Sequence, residues 1–335
     1  MNYQNRQWFY VKRPEGRVGD EHYALRESEL DDNLSSNEVL IRARIISVDP
    51  YIRIQQHERN TYDVPHPLGI VQRAGVVGEV VASASPLFKQ GDWVSAYSGW
   101  QLYAKCHHSE LTKLNPDAAP VSTALGVLGM PGRTAWFGLM EAGKPRPGDT
   151  LVVSGAAGAV GSLVAQFGKR AGCRVIGIAG GPDKCRWIVQ DLGFDAAIDY
   201  KAQDVAAALR KYAPGGVDVF FDNVGGEILD AVLTRLARGA RIVLSGGLSQ
   251  YAAQQVRGPS NYLELIAARA SMAGFLTPDY ADRYAQARAE LAAWLREGRL
   301  ISREDILQGG VRAFPDALPK LFAGQNIGKL ILAVP

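Results

Sequence analysis

"VVSGAAGAVGSLVAQFG" occupies residues 152–168. An apolar run ends in Gly155, Gly158 and Gly161, and an apolar-periodic stretch follows at once. This is the order expected where a strand turns into a helix and a dinucleotide pyrophosphate meets helix-terminal N–H groups. Gly158 would let the backbone approach phosphate, and Gly161 would let helix and strand pack closely. Gly158, Ala159, Val160 and Gly161 are therefore the candidate phosphate turn. A strict G-x-G-x-x-G would carry glycine where Ala156 stands, so a plain turn is the competing reading.

The flanks support the first reading. Downstream, "CRVIGIAG", a helix from about 183, "AAIDY", a helix around 203–212, "VDVFFDNVG", a helix after 226, "ARIVLSG" and "SMAGFL" alternate regularly. With the opening strand this makes six strands with intervening helices, an α/β doubly wound parallel sheet. Residues 1 to about 120 have another texture. Short β-rich runs ("EVLIRARIISV", "AGVVGEVV", "DWVSAY") are separated by Pro and Gly turns, which predicts a β-rich domain. "YADRYAQARAELAAWLREG" has helical spacing and ends at Gly298, a packing helix with its C-cap. "NIGKLILAV" reads as a strand beyond the six, which sends the C-terminus back to the first domain.

Composition bounds the function. The 335 residues include 36 glycines, and 37 Lys and Arg against 34 Asp and Glu leave a formal charge of +3, too small and dispersed for nucleic acid or an anionic membrane. A small-molecule partner is the expectation. The N-terminus lacks a basic stretch followed by an apolar run, and no segment reaches eighteen apolar residues. Cys106, Cys173 and Cys185 are too few and too scattered for a disulfide framework, which suits a cytoplasmic setting.

The second strand bears on the cofactor. An NAD site usually has an acidic residue about 20 residues beyond the glycines, whereas "VIGIAGGPDK" ends its strand in Ala179, Gly180 and Gly181. Lys184 follows at the start of the next helix, where a 2′-phosphate gains a cation and helix-terminal N–H groups, and this favours NADP(H). The alternative makes Asp183 the ribose acid and Lys184 a solvated helix residue.

Catalytic zinc needs thiolate, imidazole or carboxylate ligands around an open position. The first domain offers Cys106, His22, His57, His66, His107 and His108 without a C-x-x-C cluster or an H-E-x-x-H motif, so no metal site is expected. A G-x-S-x-G nucleophile elbow is also absent from the sequence.

Six motifs carry a wider resemblance: "SVDPYIR" at 47–53, "GVLGMPGRTAWFGL" at 126–139, "AAGAVGS" at 156–162, "GCRVIGIAGGPDKCR" at 172–186, "FDNVGGE" at 221–227 and "NIGK" at 326–329. With them the chain resembles zinc-free members of the medium-chain dehydrogenase/reductase superfamily, in the branch of prostaglandin reductases, alkenal double-bond reductases and bacterial NADPH-dependent curcumin reductases. The resemblance covers nearly the whole chain. It implies a GroES-like catalytic domain over 1–124, with 303–335 returning to it, a Rossmann NADP-binding domain over 125–302, an active site in the cleft and a homodimer. It also implies reduction of the carbon–carbon double bond of enones and enals with NADPH. Lys184 and Tyr200 would hold the 2′-phosphate, the Gly158–Gly161 turn the pyrophosphate, and Asn223 and Asn326 groups nearer the nicotinamide. The loop "SGGLSQY" at 245–251, with Ser245, Gly246, Ser249 and Tyr251, would line cofactor and substrate. Arg133 and Trp136 stand in "GRTAW" where relatives often have an aliphatic residue and Tyr, a departure that bears on substrate shape.

An enone accepts hydride at its β-carbon while charge develops on the carbonyl oxygen, so a donor must meet that oxygen and a proton must reach the α-carbon. A tyrosine stays protonated at neutral pH and suits either task, which makes Tyr251, and secondarily Tyr51 in the "DPY" turn, the catalytic candidates. Water or the nicotinamide ribose hydroxyl are the alternatives, with both tyrosines then serving as packing. Asn223 has a turn-capping alternative and Tyr200 a structural one. Quinone reduction, a zinc-free alcohol dehydrogenase and a non-catalytic NADPH sensor are the rival functions.

Overall fold

The polar N-terminal stretch "NYQNRQWFY" is a strand, β1 Asn2–Tyr10, paired antiparallel along its whole length with β2 Tyr23–Asp31. Most of its side chains remain at least partly solvated, so no apolar alternation advertises it. β3 Glu38–Ser47 is the spine of the neighbouring sheet and leads into a short helix, α1 Tyr51–Gln55. Tyr51 therefore opens a helix, where the "DPY" reading placed only a turn. β4 Ile70–Val71 joins β1, while β5 Val76–Ser83, β6 Trp93–Ala96, β7 Tyr103–His107 and β8 Thr112–Leu114 belong to the β3 sheet. The computed structural model describes residues 1–58, 64–253 and 255–335.

From α2 Met130–Phe137 onward, strand and helix alternate. The sheet consists of β9 Thr150–Ser154, β10 Arg174–Ala179, β11 Ala196–Asp199, β12 Val217–Asp222, β13 Leu236–Leu244 and β14 Ser271–Gly274. All neighbours are parallel, in the order β11-β10-β9-β12-β13-β14, so strand order reverses between β9 and β12. Its helices are α3 Gly161–Arg170, α4 Pro182–Gln190, α5 Val205–Tyr212, α6 Gly226–Leu233, α7 Glu264–Ala268 and α8 Tyr284–Arg296. Both sheet faces are apolar. Leu151, Val153, Val219 and Phe221 pack on one side with α3 and α8 residues such as Phe167 and Leu291. Val152, Ile176, Ile178 and Phe220 pack on the other with Leu209, Leu229 and Val232 of α5 and α6. Burial on two faces explains why these strands read as continuous apolar runs. Gly298 lies just past α8 with a positive φ of 67°, the cap conformation expected there.

The last segment contains β15 Glu304–Leu307, α9 Phe314–Phe322 and β16 Lys329–Ala333. β16 pairs antiparallel with β3, with Ile331 opposite Ser47. Phe314 stacks on Trp100 at 3.9 Å in a core with Tyr10, Ile46 and Ile52. The chain thus forms two units, residues 1–125 with 304–326 and 330–335, and residues 126–303 with 327–329. The first is an antiparallel β-rich unit, the second a Rossmann sheet.

Candidate cofactor and active site

At the switch point, β9 ends in Ser154 and the chain turns through Gly155 at φ 59°. The Gly158 N–H closes the turn on the Gly155 carbonyl at 2.9 Å, and the Gly328 N–H braces it from outside on Ala157 at 2.8 Å. A β-carbon at Gly161 would sit 2.9 Å from the Ala156 Cα and closer still to the Gly155 carbonyl oxygen. The glycine is therefore required by the turn folding back on the first residue of α3, a contact more local than the helix–strand packing expected of it. Ala156 is fully buried with its N–H on the Ile178 carbonyl, so the missing first glycine of the motif leaves the turn intact. Among the described residues no side chain caps α3. A tight glycine turn feeding an uncapped ten-residue helix offers Gly158, Ala159, Val160 and Gly161 to a pyrophosphate.

The tips of β10 and β11 lie side by side, Ala179 opposite Asp199. One Asp199 carboxylate oxygen accepts the Gly181 N–H at 2.8 Å and the Lys201 N–H at 3.0 Å, which draws the chain after β11 over the turn after β10. A β-carbon on Gly180 would lie 2.8 Å from the Tyr200 ring and 3.0 Å from Lys201 Cε, so both side chains rest on this glycine. Tyr200 is 44% exposed. Half-buried Lys184 is in the first turn of α4, whose N-terminal residue Gly181 likewise supplies no side-chain cap. The rival acid, Asp183, is exposed and ion-paired with Arg186 along the helix. With no acid at the end of β10 itself and the Asp199 carboxylate taken up by two backbone N–H groups, Lys184, Tyr200 and Lys201 make a donor set that fits a 2′-phosphate. Lys201 was missed in the sequence because only the strand pairing brings it beside Gly180.

The third cluster is at the tip of β12. Asp222 is fully buried, and its carboxylate accepts the Ser154 hydroxyl at 2.7 Å, the Val224 N–H at 3.0 Å and the Gly225 N–H at 3.0 Å. Burial raises its carboxyl above the ordinary range, opposed by these donors. Asn223 donates its side-chain N–H to the Ser154 carbonyl at 2.7 Å, which turns its amide oxygen the other way. The N–H groups of Ser245 and Gly246 both reach the Asp222 carbonyl, at 2.9 and 3.1 Å. The Ser249 hydroxyl is exposed and donates to the Val224 carbonyl at 2.7 Å. Tyr251 folds back so that its hydroxyl oxygen accepts the Gly247 N–H at 3.0 Å. Its phenol is raised above the usual 10, mainly by burial, with Asp222 adding to the shift and the Gly247 N–H opposing it.

In the other unit, the Tyr51 ring lies 6.3 Å from that of Tyr97, whose hydroxyl reaches Gln55 at 3.3 Å. Arg53 of the same motif is buried and donates to the Pro14 and Gly16 carbonyls, a loop-holding role. Asn326 is 8% exposed, two residues before Gly328. Among the described residues, no three His, Cys, Asp or Glu side chains are grouped to hold a metal. Burial pushes the Cys106 thiol up to about 12 and the Cys173 thiol to about 11, so neither is an activated nucleophile.

A parallel sheet in this order, with its glycine turn at the switch point, defines a Rossmann-type dinucleotide-binding fold. The family model described as N-terminal domain of oxidoreductase matches residues 6–114, and that described as Zinc-binding dehydrogenase matches residues 159–293. The chain is 39% identical to the NADPH-dependent curcumin reductase of Escherichia coli (strain K12), over 98% of this chain and 97% of that one. It is 38% identical to the 2-alkenal reductase (NADP(+)-dependent) of Nicotiana tabacum, over 89% and 88%. The crystal structure of CurA from Vibrio vulnificus in complex with NADPH superposes with a TM-score of 0.92 at 41% identity, covering 98% of this chain and 99% of that one. The chain belongs to the medium-chain dehydrogenase/reductase superfamily, in the branch of curcumin, alkenal and prostaglandin reductases.

Proposed function

We propose that this protein reduces the carbon–carbon double bond of α,β-unsaturated ketones and aldehydes with NADPH. The observation that carries the reading is end-to-end similarity to the curcumin reductase, joined to a β10 tip that has cations and no free acid. Gly158, Ala159, Val160 and Gly161 hold the pyrophosphate, Lys184, Tyr200 and Lys201 the 2′-phosphate. Asn223, Ser245, Gly246, Ser249 and Asn326 line the rest of the cofactor. Ser249 does so from a loop its hydroxyl already pins, and Ser245 and Gly246 through atoms other than the N–H groups bonded to Asp222. The bound cofactor supplies the hydride that reaches the β-carbon. Tyr251 donates a hydrogen bond to the carbonyl oxygen as charge develops there, and water supplies the proton that then reaches the α-carbon, so that hydride and proton together saturate the double bond. Tyr51 is the second candidate donor. The three free cysteines accord with a reducing, cytoplasmic setting.

We also infer a homodimer through the outer edge of the Rossmann sheet. Among the described residues β14 pairs only with β13, three of its four residues are exposed, and the adjoining Leu263 and Ile266 are 61% and 73% exposed.

The decisive assay follows NADPH and NADH oxidation with small enones, enals, curcuminoids and quinones, with and without a chelator. Enones and enals should be turned over with NADPH, with no effect of chelation. Turnover of quinones alone, or cofactor binding without oxidation by any acceptor, would overturn the reading.

A further inference from the structure

Asp222 has no step in the proposed reaction, yet it is a carboxylate with no solvent exposure and, among the described residues, no ion pair. Taking a carboxylate out of water is costly, so its donors have to be well placed. They come from two directions. The Ser154 hydroxyl reaches it from the end of β9, one residue before the glycine turn, and the Ser154 hydroxyl oxygen in turn accepts the Asn223 N–H at 2.8 Å. The Val224 and Gly225 N–H groups come from the turn after β12, and Gly225 spans both carboxylate oxygens at 3.0 and 3.1 Å.

That turn is the template for the next loop. The Asp222 carbonyl takes the Ser245 and Gly246 N–H groups, the Asn223 carbonyl takes the Leu248 N–H at 3.1 Å, and the Val224 carbonyl takes the Ser249 N–H at 3.0 Å. The loop ends with Tyr251 bent back onto Gly247, its hydroxyl only 2.9 Å from where a β-carbon of Gly246 would stand. The path from carboxylate to phenol is unbroken: Asp222 shapes 223–225, 223–225 aligns 245–249, and 245–249 sets the position of the Tyr251 hydroxyl.

We infer that Asp222 is a positioning residue for Tyr251, acting through the turn its carboxylate organises. The inference rests on Tyr251 being the donor to the developing enolate. An amide keeps the size and can leave its oxygen to the three donors that meet on one carboxylate oxygen, but its N–H2 group then faces the Gly225 N–H, so the turn at Gly225 has to give way.

The test is a double-variant cycle of Asp222→Asn and Tyr251→Phe, read as kcat with a small enone and as NADPH dissociation constant by fluorescence titration. Asp222→Asn should lower kcat at saturating NADPH about tenfold, weaken NADPH binding several-fold because Asn223, Ser245 and Ser249 move with the turn, and add no further loss of kcat once Tyr251 is Phe. Multiplying losses in the double variant, or a wild-type kcat for Asp222→Asn, would overturn the role of Asp222 while leaving Tyr251 as donor. A wild-type kcat for Tyr251→Phe would remove the donor role and the inference with it. If Asp222→Asn does not fold, Ser154→Ala in the same cycle removes one carboxylate donor and should give the same non-additive pattern, which additive losses there would refute.

Discussion

Lys184, Lys201 and Tyr251 are the single side chains on which the proposed cofactor choice and chemistry rest. Removing a charge-assisted hydrogen bond by substitution with alanine costs about 1.5–3 kcal/mol, so Lys184→Ala should weaken NADPH binding about tenfold to a hundredfold and leave NADH nearly unchanged. Lys201→Ala should act in the same sense by a smaller factor, since residue 201 is the more exposed of the two. Fluorescence titration of both cofactors checks this, and equal losses for the two would mean that neither lysine reads the 2′-phosphate. Tyr251→Phe keeps the ring and removes the donor, which should lower kcat by about 10²-fold with little change in NADPH affinity. Tyr51→Phe should have a smaller effect. Because burial raises the Tyr251 phenol above its ordinary value, the hydroxyl is protonated throughout the neutral range, and a fall in kcat from its ionisation should begin at higher pH than a free phenol would show. A pH–rate profile with a break near neutrality that disappears in Tyr251→Phe would contradict this.

At the scale of elements, the turn between β9 and α3 is the part with least tolerance. A methyl group at residue 161 meets backbone atoms at Ala156 and Gly155, which cannot rotate away as a side chain end can. Gly161→Ala should therefore destabilise the protein by about 1–3 kcal/mol in urea unfolding and weaken NADPH binding by displacing the turn. An unchanged midpoint would mean that the turn adapts. The turn was legible in the sequence because glycine spacing, a preceding apolar run and a following periodic stretch are all local signals. β1 was not, since its nine residues are mostly polar and its strand state depends on its pairing with β2, a separate stretch of the chain. α1 was hidden for a related reason: five residues carry too little periodicity to distinguish a helix from a turn.

Across the whole molecule, two features depend on residues far apart in the chain. The Trp100–Phe314 stack joins the end segment to the core of the N-terminal strands, and Phe314→Ala should cost about 3–5 kcal/mol of stability, measured by chemical denaturation. A loss below about 1 kcal/mol would show that β16 docks without it. The proposed dimer edge predicts that Ile266→Glu yields monomers in sedimentation velocity, whereas a wild-type protein already monomeric at micromolar concentration would refute that edge.

By itself the sequence determined the alternation of strands and helices, the glycine turn after β9, the end of β10 without an acid and the family, because each is written in contiguous residues. Tertiary structure decided the rest. It brought Lys201 beside Gly180 through the pairing of Ala179 with Asp199, and it turned the Asn223 amide toward Ser154. It also buried Asp222 between two strand ends 68 residues apart. A carboxylate in the middle of "FFDNVGG" has no sequence mark that separates a solvated turn residue from a buried anchor. Only the neighbouring strand, which supplies the Ser154 hydroxyl and removes the water, makes that distinction.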